Sequence, residues 1–281
     1  MKLTQSYFVQ NGQLMPVAQY PDQLPGSQPE IYEVIRVIEG VPLFLDQHLD
    51  RLQESAGLTG MLPVPSESQI RSDIRLLVVK NEVREGNIRI SFKRKNEESS
   101  CITAFIPHKY PSGEDFLKGV KVDFLYAERH NPHAKVVNMG LRNAADSMIR
   151  DKKLFEVILV DSEGYITEGS RSNVFMLSGD AIFTAPESKV LKGITRTEII
   201  RLIGDLGFKL FEKDVKVEDL NGMDALFISG TSPKVLPVSQ AGPFSFSTDH
   251  PILRRIMEGF DLRIRNCIRE YADRETKAEA K

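Results

Sequence analysis

Cysteine is scarce in this chain: Cys101 and Cys267 are the only two among 281 residues. Two distant thiols cannot build a disulfide framework, so a reducing compartment, the cytoplasm, is the expected location. Neither thiol sits at a spacing that suits a metal or a nucleophile, and both read as structural. Charge of one sign is lacking too. The formal net charge is −2, which offers no basic excess to a nucleic acid. No apolar run approaches the roughly 20 residues that a membrane-spanning helix needs, and the opening MKLTQSYFVQNGQ has no long apolar stretch of the secretory kind. Neither a nucleic-acid nor a membrane partner is expected. His130 and His133 form an H-x-x-H pair, but no third ligand stands at a sensible spacing, so a loop is expected and no metal.

What is present reads as an α/β protein of two domains, since the chain is longer than one core usually serves. Residues 1–112 form a small α+β domain and 113–281 a larger one, with the turn-rich stretch 107–119 as linker. In the small domain, residues 8–15 around Asn11-Gly12 read as a hairpin, because Asn-Gly supplies the positive φ of a tight turn. Residues 31–38 alternate as a strand, followed by a short strand at 41–45. A helix capped by Asp46 covers 46–56 and a second covers 66–83. Strands at 87–93 and 101–106 flank the charged turn KRKNEESS. In the larger domain, strands at 120–126, 156–160, 165–167, 174–177 and 181–184 are expected to alternate with helices. Helices are expected at 141–152, 195–206 and 252–271, with the tail RETKAEAK frayed.

The chemistry is concentrated between Glu168 and Arg196, in EGSRSNVFMLSGDAIFTAPESKVLKGITR. A carboxylate at a strand end precedes a small-residue turn with Ser172, then Asn173-Val174-Phe175. A strand ends at Thr184, and Leu191-Lys192-Gly193-Ile194-Thr195-Arg196 opens a helix. Free N–H groups and the positive end of a helix dipole make such a start a phosphate site, to which Thr195 adds a hydroxyl. A second polar turn, Gly230-Thr231-Ser232, follows the apolar strand ending at Ile228.

This stretch resembles the signature of the class IV aminotransferases at every defined position. That family includes branched-chain aminotransferases, D-amino-acid aminotransferases and aminodeoxychorismate lyases. The resemblance implies a fold-type IV enzyme with pyridoxal 5'-phosphate at the junction of the two domains. Lys135 lies 33 residues before Glu168 (168 − 135), where the family places the lysine that carries the cofactor. Apolar Ala134, Val136 and Val137 around it would desolvate its amine. Glu168 then matches the carboxylate that keeps the cofactor's ring nitrogen protonated and electron-withdrawing. Ser172, Asn173, Leu191, Gly193, Ile194 and Thr195 match cofactor-binding positions, and Gly230, Thr231 and Ser232 match a second phosphate loop. In IYEVIRVIEGVPLFLDQHLDRL, Arg51 matches an arginine that grips the phosphate. Tyr32 matches an aromatic residue on the substrate side, and His48 reads as structural.

Three departures bear on substrate. The segment before Tyr32 is PDQLPGSQPE, without the family's Asp-Arg-Gly and Gly-Asp-Gly run. No Arg-x-His carboxylate clamp of the D-amino-acid type occurs between residues 87 and 107. Position 140 is glycine where branched-chain enzymes tend to have tyrosine. Arg89, Arg94, Arg142 and Arg171 are the candidate carboxylate partners, unranked. The expected activity is transfer of an amino group between an amino acid and a 2-oxo acid, in a homodimer. The alternatives are aminodeoxychorismate lyase and a catalytically silent binder of the cofactor.

Overall fold

In the computed structural model, which describes residues 3–20, 29–95, 97–129 and 131–279, the chain divides into two units. The first comprises Met1–Lys109 together with Ala134–Val137 and Ile264–Lys281, and the second comprises Tyr110–His133 and Asn138–Arg263. The chain returns to the first unit twice after Lys109, and the first of these returns carries Lys135.

The first unit opens with the hairpin of β1 (Tyr7–Gln10) and β2 (Gln13–Pro16), whose Asn11 and Gly12 take φ of 50° and 81°. Strands β3 (Ile31–Ile38), β4 (Val41–Pro42), β5 (Gly86–Lys95) and β6 (Glu98–Ile106) complete a six-stranded sheet in the order β2-β1-β6-β5-β3-β4. Helices α1 (Leu45–Leu58) and α2 (Glu67–Lys80) accompany it. Along β3 the side chains alternate strictly, with Ile31, Glu33, Ile35 and Val37 buried and Tyr32, Val34, Arg36 and Ile38 half-buried. The buried face packs into a core with Leu49, Leu52, Ile70, Ile74 and Leu77 of the two helices.

Three local expectations shift. The short strand ends at Pro42, because Phe44 adopts left-handed backbone (φ 52°) and starts α1 one residue early. Asp46 therefore sits in the first turn rather than capping it, and binds Arg71 and Arg274. The charged turn between β5 and β6 is mostly strand, with pairing that continues to Lys95 opposite Glu98. The helix expected to reach 83 ends at Lys80, and a positive φ at Glu82 turns Val83 into the core.

One residue breaks the apolar alternation of β3. Glu33 is fully buried, and its carboxylate accepts Nδ1–H of His48 at 2.7 Å, Nε–H of Arg51 at 2.7 Å and Nη2–H of Arg51 at 2.6 Å. Burial pushes this carboxyl up, but the Arg51 charge and hydrogen bonds, with the His48 bond, outweigh it and hold Glu33 well below the usual glutamate range. His48 is pulled down by its own burial against the raising effect of Glu33, so it serves as a neutral donor opposite a charged Arg51.

The second unit contains α3 (Gly113–Lys118), β7 (Val120–Tyr126), α4 (Met139–Lys152), β8 (Glu156–Val160), β9 (Ile166–Gly169), β10 (Asn173–Ser178) and β11 (Ala181–Thr184). It continues with α5 (Ile194–Asp205), β12 (Lys209–Glu212), β13 (Ala225–Gly230), β14 (Lys234–Ala241) and β15 (Phe244–Ser245). Helix α6 (Pro251–Glu279) starts in this unit and belongs to the first from Ile264 onward. The nine-stranded sheet runs β12-β11-β10-β13-β14-β7-β8-β9, with β15 on β14. Strict alternation of strand and helix does not hold: β8 to β11 follow one another without a helix, which makes their pairings antiparallel. The stretch expected as a linker holds α3, started by a Ser112–Asp115 capping box and ended at Gly119. A Cβ at Gly119 would stand 2.7 Å from Thr248 and 2.8 Å from the Ser239 amide, at a φ of 74°, so only glycine fits. The last helix runs on through Glu279, where fraying was expected, with Arg274 tied to Asp46. Among the described residues no helix is long and apolar enough to cross a membrane.

Two measurements check this packing. Phe175 and Phe227, both fully buried, stack with centroids 4.8 Å apart; Phe227→Ala is expected to cost about 3–5 kcal/mol in urea unfolding. Glu33→Gln leaves Arg51 buried without its counter-charge and is expected to cost about 3–5 kcal/mol near neutral pH. The Glu33 contribution is full above its ordinary value of 4.5 and is lost as pH falls from there toward the depressed folded value. Wild-type stability should therefore fall more steeply than that of the variant below that pH.

Candidate active site

In the first unit, Lys135 lies on a short segment added beside the start of β3. The Tyr32 amide donates to the Lys135 carbonyl at 3.1 Å, the Val137 amide to the Glu30 carbonyl at 2.9 Å, and Ile31 bridges Val136. The Lys135 amide donates to Ser55 Oγ on α1 at 3.1 Å. These bonds fix a backbone with no helix or long strand of its own. Ala134 is buried and Val136 packs against the core. The Lys135 Nζ stands 4.9 Å from the centre of the Tyr32 ring, so two residues 103 positions apart (135 − 32) meet here.

Arg51, expected to grip a phosphate, has Nε and Nη2 on Glu33, and its guanidinium plane is set by that bidentate pair. Glu33 is thus a residue the sequence reading overlooked. Its signal was available: an acid at an apolar position of a period-2 strand, with His48 and Arg51 three apart on one helix.

In the second unit, Glu168 is buried at the end of β9, and both its oxygens are engaged. Arg129 Nε donates to Oε1 at 2.7 Å, and the Leu191 amide to Oε2 at 3.2 Å. Asn173, paired with Glu168 across the sheet, donates Nδ2–H to the Leu191 carbonyl at 3.1 Å. A Cβ on Gly193 would lie 2.2 Å from Asn173 Oδ1. One strand thereby ties the carboxylate, the loop and the start of α5 together, and glycine at 193 is a steric requirement. Helix α5 begins with no side-chain cap at Gly193, and Thr195 is buried in its first turn. Its leading amides form the kind of end that receives an anion.

Ser172, expected at the cofactor, donates its hydroxyl to Glu156 at 3.2 Å. Glu156 also accepts from Ser170 Oγ at 2.6 Å and the Arg171 amide at 3.1 Å, so it shapes the turn that follows Glu168. Gly230 ends β13, and Thr231 and Ser232 form the turn into β14. Arg129 is the other residue that sequence reasoning passed over for the site. Arg129 has no periodic or motif context, and only the tertiary fold brings it to Glu168.

Elsewhere the picture is bland. Burial pushes the Cys101 thiol up to about 12, as suits a structural cysteine. His130 lies outside the described residues, and among those described no cluster suits a metal ion.

The Amino-transferase class IV family model matches residues 30–241. The D-alanine aminotransferase of Bacillus licheniformis is 29% identical over 222 residues, covering 74% of this chain and 77% of that protein. A putative branched-chain-amino-acid aminotransferase of Methanocaldococcus jannaschii is 30% identical over 222 residues, with the same coverage of 74% and 77%. In fold, the chain superposes on the branched-chain amino acid aminotransferase of Escherichia coli with a TM-score of 0.83. That match has 23% identity and covers 93% of this chain and 95% of the other. With the matched region spanning both Lys135 and the whole stretch from Glu168 to Arg196, the chain belongs to the class IV aminotransferases.

Proposed function

We propose that the protein is a pyridoxal-phosphate-dependent transaminase exchanging an amino group between an amino acid and a 2-oxo acid. The observation that carries this reading is the lock among Glu168, Leu191, Asn173 and Gly193. It sets a buried carboxylate and an uncapped helix start on one frame. The donor set fits the cofactor: an amine on a hydrogen-bonded segment, a fixed carboxylate, and a helix start with no side-chain cap.

In this reading Lys135 carries the cofactor and Glu168 answers its ring. Arg51, the α5 amides with Thr195, and Gly230, Thr231 and Ser232 are the groups suited to its phosphate. Bound pyridoxal phosphate supplies the electron sink for the exchange. Lys135 Nζ would hold the cofactor, and as a free amine it would take the proton from the substrate Cα and return one. Tyr32 walls the amine on its ring side. Glu168 keeps a proton on the ring nitrogen, since a carboxylate retains lone pairs beyond the two that Arg129 and Leu191 use. Arg129 balances that buried charge. The assembly is a homodimer in the same reading, which sedimentation of the loaded protein tests.

Protein loaded with pyridoxal phosphate should show the cofactor's absorption, and borohydride followed by peptide mapping should place the label on Lys135. Lys135→Ala should lose the label and drop transamination by roughly 10⁴-fold or to background. Glu168→Gln should keep the label while kcat falls by roughly 10²–10³-fold. A full-rate Lys135→Ala protein would sink the proposal.

A further inference from the structure

A hydroxyl in the interior of the second unit is left without a bond. Ser229, the next-to-last residue of β13, is 0% exposed, and its Oγ has no hydrogen-bond partner among the described residues. Hydroxyls at that depth are nearly always satisfied, because an orphan gives up its bonds to water and gains none in return.

The neighbours of Ser229 are the frame of the candidate site. In the sheet register Asn173 stands opposite Glu168 of β9 and opposite Ser229 of β13. Opposed residues of antiparallel strands point to one face, with Cβ atoms about 4.5–5.5 Å apart. The stacked pair Phe175 and Phe227, two positions along the same two strands, marks that face. Glu168, Asn173 and Ser229 therefore form one polar row across three strands. Its first two members are spent on the loop before α5. Glu168 accepts the Leu191 amide, Asn173 donates to the Leu191 carbonyl, and Asn173 Oδ1 is the atom that a Cβ on Gly193 would strike. Because α5 packs against β13, the third member stands beside the start of the helix with its donor unspent.

The backbone of Ser229 is held on both sides, by Asn173 and by Val235, so its hydroxyl can choose a partner only by rotation of its own side chain. A second orphan nearby, Nε of Arg196, belongs to a guanidinium that already reaches the Ala185 carbonyl and Glu212. Ser229 has no such alternative. The uncapped start of α5 presents amides without acceptors and a partial positive charge. An anion answers the amides and the idle hydroxyl together.

We infer that Ser229 is a further binding residue of this site, its hydroxyl donating to an oxygen of the anion held at the start of α5, in this case the cofactor phosphate. This rests on the transaminase reading above and adds a donor from within the strand to the turn that follows it.

The test titrates the full chain, freed of cofactor, with pyridoxal phosphate and separately with pyridoxal, which has the ring and aldehyde without the phosphate. Ser229→Ala should weaken pyridoxal phosphate by about tenfold to a hundredfold, the range for one hydrogen bond to a charged group. Its affinity for pyridoxal should stay within about threefold of the wild type. Without cofactor its urea midpoint should equal or exceed that of the wild type, because a methyl group takes the place of an unsatisfied hydroxyl. Ser229→Cys, close in shape and a weaker donor, should fall between the two proteins in affinity for pyridoxal phosphate. A purely structural hydroxyl gives the reverse pattern, a lower urea midpoint without cofactor and an unchanged preference for the phosphorylated ligand, and that result overturns the inference. Equal losses for both ligands, or no loss for either, overturn it too. Should Ser229→Ala fail to fold, Ser229→Cys decides: weakened pyridoxal phosphate with pyridoxal unchanged supports the inference, and wild-type affinity for both overturns it. A wild type that binds neither ligand, or both equally, fails the transaminase reading and takes the role of Ser229 with it. A wild type that prefers pyridoxal phosphate leaves Ser229 alone in question.

Discussion

A full negative charge sits on the apolar face of β3, and the first unit is organised around satisfying it. Glu33 has no access to solvent, so burying it unpaired would cost several kcal/mol, far more than a domain of this size can spare. Arg51 and His48 meet that demand from successive turns of α1. Their geometry fixes the rotation of α1 against the sheet, and with it Ser55, which receives the Lys135 amide. The lysine expected to do the chemistry is therefore placed by a chain of contacts that begins at a residue outside the family signature.

The second unit solves the same problem differently. Glu168 is also a buried carboxylate, but its partners are one guanidinium and one backbone amide, and a carboxylate so held keeps acceptor capacity for a further donor. Asn173 and Gly193 make the frame rigid at the point where Leu191 turns toward α5. In both units, charge is buried where function is proposed, and each buried charge is met by a short, directional set of partners. Preorganisation of this kind spares the site the reorganisation that solvent would require.

Much of this was legible beforehand. The Asn11-Gly12 hairpin, the alternation of β3 and the start of α5 at Gly193 follow from local rules, and the structure places them within a residue or two. The misreadings have local causes as well. A left-handed Phe44 carries no sequence signal, since positive φ at an aromatic residue is disfavoured and is imposed by packing. The β5–β6 hairpin reads as a turn by composition, yet its ladder runs on to Lys95 and Glu98, because backbone pairing does not depend on apolar side chains. Helix α3 is too short for periodicity to reveal, and the final helix outlasts its apolar pattern because Arg274 has a distant partner.

By itself the sequence determined the family, the lysine and carboxylate worth testing, and the helix start suited to a phosphate, because these depend on residue type at short fixed spacings. It could not rank four arginines or find Arg129 and Glu33. Their roles rest on partners that lie up to 59 positions away, as with Arg89 and Glu30. Only strand register and the rotation of a helix against a sheet bring such groups within hydrogen-bond reach, and those are set by burial of the whole core rather than by any local run of residues.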